Sequence, residues 1–79
     1  MELFEENEAQ WRMFCRNLLS CRKRLGMTED EMAALLDIDS QILRLIEKET
    51  LQVDIPIDVV LRAARLFRIK PSELFLRLL

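Results

Sequence analysis

The stretch from Gly26 to Lys48, GMTEDEMAALLDIDSQILRLIEK, carries enough local punctuation to specify its own backbone. Gly26 follows Leu25 at the place where a helix closing on a left-handed residue favours glycine. Thr28 and Glu31 form a T-x-x-E capping box, and Met27 and Met32 bracket it as a hydrophobic staple, so a helix starts at Thr28. Met32, Ala33 and Leu36 make its inner face. The run Asp37-Ile38-Asp39 then interrupts the pattern. Asp37 tolerates a left-handed conformation better than most residues, and Asp39 can cap the next helix. Ser40 to Lys48 reads as that helix, with Leu43 and Ile46 turned inward. Two short helices around a tight turn are the layout with which many proteins enter a DNA groove.

The rest of the chain keeps the helical period. From about Glu5 to Leu25 the stripe is led by Trp11, Phe14, Leu18 and Leu25, which predicts a long first helix. Residues 49–55, ETLQVDI, form the one extended loop. Pro56 suits the first turn of a helix whose stripe runs Val59, Val60, Ala63, Ala64 and Phe67. Pro71, Ser72 and Glu73 open a last helix over Leu74 to Leu79. With 79 residues, one Gly and two Pro, loops must be short and a single core is expected. The fold class is all-α, five orthogonal helices.

Catalysis finds little support. The chain has neither His nor Tyr, so a nucleophilic serine has no base. One glycine cannot write a phosphate-binding loop. Cys15 and Cys21 share one helix, and six residues at about 1.5 Å rise separate them by roughly 9 Å, too far for a disulfide. With two thiols and no histidine, a four-ligand zinc site would need carboxylates or a second subunit, so the cysteines read as small buried hydrophobes. No metal, cofactor or catalytic residue is expected. No apolar run approaches the roughly 20 residues that span a bilayer, and the N-terminus, MELFEENEAQ, is acidic where a signal peptide is basic. A soluble, cytoplasmic chain with no membrane partner is the expectation.

The segments RKRLGMTEDEMAALLDID (22–39), LRLIEKE (43–49), LRAARLFRI (61–69) and KPSELF (70–75) together resemble the lambda-repressor/Cro type of helix-turn-helix domain, also called the xenobiotic-response-element family. The resemblance implies a five-helix lambda-repressor-like domain over 17–79 with its helix-turn-helix unit at about 28–48. Residues 1–16 are then an N-terminal helical extension that lengthens the first helix. It implies a transcriptional regulator that binds double-stranded DNA as a homodimer, with Ser40, Gln41, Arg44 and Lys48 as DNA-binding residues. Gln41 suits adenine, and Arg44 suits guanine or phosphate. It also implies a structural salt bridge between Arg22 and Glu47, unless Arg22 is simply solvated.

Departures from the family pattern favour a different reading. The family usually has Gly at Asp37 and a phosphate-contacting Gln at Glu29. Leu35, Ile42 and Leu45 are apolar where polar residues are usual, which suits either a partner surface or local repacking. From Thr28 to Glu49 the acids Glu29, Asp30, Glu31, Asp37, Asp39, Glu47 and Glu49 face only Arg44 and Lys48, a net charge of −5. DNA affinity depends heavily on neutralising phosphates. The alternative is therefore a protein–protein interaction module that reuses the fold without DNA binding. The bases cluster elsewhere, at Arg12, Arg16, Arg22, Lys23 and Arg24, and at Arg62, Arg65, Arg68 and Lys70. Each cluster reads as a solvated face or a complement to acids on a second copy. Phe4, Trp11, Phe14, Phe75, Leu78 and Leu79 exceed what a small domain needs and form a possible dimer interface. The alternative is that Trp11 and Phe14 fold over their own C-terminal helix.

Overall fold

The computed structural model describes residues 8–50 and 55–79, which form five helices and no strand among the described residues. They are α1 (Glu8–Arg24), α2 (Glu29–Leu36), α3 (Ser40–Glu47), α4 (Ile57–Phe67) and α5 (Glu73–Leu76). The expected start of the first helix at Glu5, most of the 49–55 loop and Phe4 lie outside the described residues. No described helix is long and apolar enough to cross a membrane. α1 packs on α5 and α3, and α2 packs on α3 and α4.

One type of closing turn is used repeatedly. Gly26, Asp37, Glu49 and Arg68 all have φ between 57° and 69°, each just beyond a helix. In each case the next residue's N–H returns to a carbonyl near the helix end: Met27 to Arg22, Ile38 to Ala33, Thr50 to Leu45 and Ile69 to Ala64, at 3.0–3.1 Å. This left-handed closure satisfies carbonyls that would otherwise lack partners. Glycine makes it freely, whereas each residue with a Cβ costs about 1 kcal/mol. Starts are equally explicit. Thr28 Oγ1 accepts from the Glu31 N–H at 3.1 Å, and Glu31 Oε1 accepts from the Thr28 N–H at 2.8 Å. Asp39 caps α3 by accepting from the Gln41 N–H at 2.7 Å. Pro56 stands one residue outside α4, at its cap, rather than in the first turn.

Trp11, Phe14, Leu18, Met32, Leu36, Leu43, Ile46, Val59, Ala63 and Leu74 share one core. Ala33 is buried where α2 meets its neighbours, and Ile38 packs under the turn. Phe14 stacks on Phe75 with ring centroids 5.0 Å apart and on Trp11 at 5.6 Å. A fully buried aromatic of this kind contributes roughly 1.5–3 kcal/mol. These contacts correct the expected dimer face. Trp11 and Phe14 are enclosed by their own chain, and Phe75 and Leu79 are half-buried against the same core. Of the described residues assigned to that face, Leu78 alone is well exposed, at 63%. Residues 8–16 are therefore part of the core that holds 17–79 together.

The last helix is also shorter than expected, because a side chain from α1 captures the backbone beyond it. Asn17, fully buried, donates to the carbonyls of Leu74 and Arg77 at 2.9 Å and accepts from the Leu79 N–H at 2.9 Å. Arg77 is extended, and Arg24 donates to the Leu79 carbonyl. A polar side chain this deep is tolerated only because its amide is satisfied on both sides.

The clamp and the turns are both open to test. Asn17→Ala lowers stability by about 2–3 kcal/mol in urea unfolding, since three backbone groups lose their partner; a loss below about 0.5 kcal/mol contradicts the clamp. Asp37→Gly and Arg68→Gly each raise stability by about 0.5–1 kcal/mol, and a loss in both contradicts the assigned strain.

Candidate contact face on the second and third helices

The geometry of α3 is set from beneath. Leu43 and Ile46 are completely buried, so the remaining positions are forced toward the surface. Gln41, Arg44 and Lys48 are exposed, whereas Ser40 is half-buried. Of the four residues assigned to DNA, three share the open face and Ser40 is partly withdrawn at the helix start. Ile42 and Leu45, one turn apart, remain 36% and 40% exposed, and Leu35 is exposed on α2. Local repacking does not hide these aliphatics.

Arg22 ties this helix to α1. Its Nε donates to Glu47 Oε2 at 2.7 Å, an NH2 group to Glu47 Oε1 at 3.0 Å, and the other to the Met27 carbonyl at 3.0 Å. The two side chains are only 14% and 7% exposed. A two-pronged contact with little water access holds the guanidinium and carboxylate planes in register. The Arg22 guanidinium is held above its ordinary pKa, chiefly by the hydrogen bond to Glu47.

Most bases near the face are already engaged by acids of the same chain. Arg44 Nε lies 3.6 Å from Glu29 Oε1, an ion pair joining the two helices. So exposed a pair contributes little stability, but it turns the one arginine of α3 toward a carboxylate. Arg62 approaches Asp37 at 3.9 Å and donates to the Leu36 carbonyl at 3.4 Å. Arg12 and Arg16 both reach Glu49 at 3.2 Å, and Arg12 also holds Glu8. The basic face predicted on the first helix is thus partly neutralised by Glu49, a residue 33 and 37 positions away.

The start of α2 is partly closed as well. A helix N-terminus ordinarily offers N–H groups to a phosphate, but here Glu31 occupies the Thr28 N–H and Thr28 the Glu31 N–H. Glu29 and Asp30 add two further charges beside them. That bond from the Thr28 N–H holds the Glu31 carboxyl below the usual range. Arg16, then Arg12, does the same to Glu49, and Arg77 to Glu73. The two thiols lie in the core, and burial pushes that of Cys15 up to about 12. Both are packing groups.

No family model, curated protein or solved structure matches the chain. What the face does must be read from its own chemistry. Sequence reasoning located Arg22 and Glu47 through a resemblance, but it missed Asn17 and the Arg44–Glu29 pair. Asn17 falls among buried neighbours on α1, a polar residue on an apolar stripe, and that was its available signal.

Arg22→Ala costs about 3 kcal/mol by stranding the Glu47 charge, and Arg22→Met with Glu47→Leu recovers most of it; a double variant as weak as the single contradicts a pair that acts through geometry. Acid titration provides a second check. Glu31, Glu49 and Glu73 ionise more readily in the folded chain, so the unfolded chain takes up protons first. Their stabilisation is complete above the ordinary glutamate pKa of about 4.3 and is lost as pH falls through the depressed values. Glu31→Gln flattens this acid limb in thermal melts; an unchanged slope counts against the capping carboxylate.

Proposed function

We propose that α2 and α3 form a helix-turn-helix of the Cro/lambda-repressor type whose outer face binds protein rather than DNA. The observation that carries this reading is the exposed pair Ile42 and Leu45 on α3, in a stretch from Thr28 to Glu49 whose net charge is −5. An apolar ridge gains by being covered, and the net negative charge of the 28–49 stretch favours a basic, amphipathic partner. Arg44, turned toward Glu29, is poorly placed to neutralise a phosphate.

The second reading is a DNA-binding regulator. Gln41, Arg44 and Lys48 favour it, since all three are exposed on α3 and can donate to base edges or phosphates. Ser40, half-buried, adds less.

Amide chemical shifts of the labelled chain separate the two. A helical peptide built only of Leu and Lys moves the resonances around Ile42, Arg44 and Leu45, and Leu45→Ser weakens that binding by about tenfold. A random-sequence duplex at low salt leaves them in place at micromolar protein. If the duplex moves Gln41 and Arg44 and the peptide does not, the face is a DNA-reading surface and the protein-contact reading is wrong.

A further inference from the structure

A groove of about 390 Å³ opens between the C-terminal ends of α1 and α4, lined by Cys21, Arg24, Leu25, Leu66, Phe67 and Arg68. It shares no residue with α2 or α3. Apart from the two arginines its walls are apolar, and Leu25 is 53% exposed. A recess of this size falls within the range of small-molecule sites.

The arginines of the chain divide by location. Arg12, Arg16, Arg22, Arg44, Arg62 and Arg77 each lie 3.9 Å or less from a carboxylate. Among the described residues Arg24, Arg65 and Arg68 pair with no aspartate or glutamate. Arg24 and Arg68 line the groove, and Arg65 stands in the last turn of α4. Arg24 is anchored through one nitrogen: Nη2 donates to the Leu79 carbonyl and the Ser20 hydroxyl, while Nε and Nη1 make no hydrogen bond among the described residues. Burial raises the Cys21 thiol pKa and the Arg24 charge lowers it, with no carboxylate acting there. Arg68 is exposed and its side chain makes no hydrogen bond among the described residues. It also keeps a left-handed φ of 57° that glycine would adopt without strain. Cations often serve helix ends by meeting carbonyls. Here backbone N–H groups do so: Lys23 and Arg22 accept from Gly26 and Met27, and Arg65 and Ala64 from Arg68 and Ile69.

We propose that the groove binds a free carboxylate carrying an apolar chain, with the chain against Leu25, Leu66 and Phe67 and the anion at Arg24 and Arg68. Burying the chain supplies the apolar gain, and a planar guanidinium matches a carboxylate better than any other anion-binding side chain does. The site is separate from the α3 face and does not depend on what that face binds.

Octanoate titrated into the labelled whole chain at low salt tests this through amide chemical shifts. It moves Cys21, Leu25, Phe67 and Arg68 with a Kd of a few millimolar, roughly what so small a ligand can reach, and leaves Gln41 and Leu45 in place. Acetate has the charge without the chain and moves none of them. 1-Octanol has the chain without the charge and binds about fivefold more weakly. Leu25→Asp abolishes octanoate binding; its side chain is exposed, so the fold survives. Arg68→Gly weakens octanoate about fivefold while the chain melts higher, which separates loss of the anion contact from loss of structure. Octanoate that leaves the groove in place, octanol that binds as tightly, or Arg68→Gly that binds like the wild type each overturns the proposal. An acidic amphipathic peptide that moves the groove where octanoate does not makes a protein segment the occupant, and the proposal is then wrong.

Discussion

Arg22 reaches from α1 to the carboxylate of Glu47 and, with the same planar group, to the carbonyl of Met27, and the setting of α3 depends on that grip. Leu43 and Ile46 hold the underside of α3 in the core, while the Glu47 tether fixes its far end. Met27 is the residue just before the capping box of α2, so one guanidinium aligns the end of α1, the approach to α2 and the end of α3. Buried ion pairs specify geometry more reliably than they stabilise. This constraint decides which side chains α3 presents to solvent.

The charges obey a related logic. The acids of the 28–49 stretch serve local structure first: Glu31 and Asp39 cap helices, and Glu47 and Glu49 receive arginines from α1. Their cumulative effect is a face short of donors. Arg44 is drawn to Glu29, and the capping box occupies the Thr28 and Glu31 N–H groups at the start of α2, where Glu29 and Asp30 add negative charge. Positive charge collects instead at the other ends of α1 and α4, around an apolar recess.

Much of the fold was legible because its signals are local. Gly26, the Thr28–Glu31 box, Asp37 and Asp39 each act within a few residues, and the sequence places them where the helices begin and end. Features that depend on distant partners were less legible. The stripe of Trp11 and Phe14 announces a buried face without saying what covers it, and a second copy was as good an answer as Phe75 of the same chain. Leu74 to Leu79 looked like continuous helix, yet Asn17 diverts its end into an extended segment. At the candidate face, the spacing placed Gln41 and Arg44 outside together, but it could not foresee that Glu29 lies within reach of Arg44 or that Ser40 sits half-buried.

If the acids dominate as proposed, the outer surface of α3 attracts cations and repels polyanions. Paramagnetic relaxation of its amides by small freely diffusing nitroxides, one cationic and one anionic, measures that potential directly. At low salt the cationic nitroxide relaxes the amides of Gln41, Ile42, Arg44 and Leu45 more strongly than the anionic one, and salt narrows the difference. A stronger effect from the anionic nitroxide at these positions contradicts an acidic contact face.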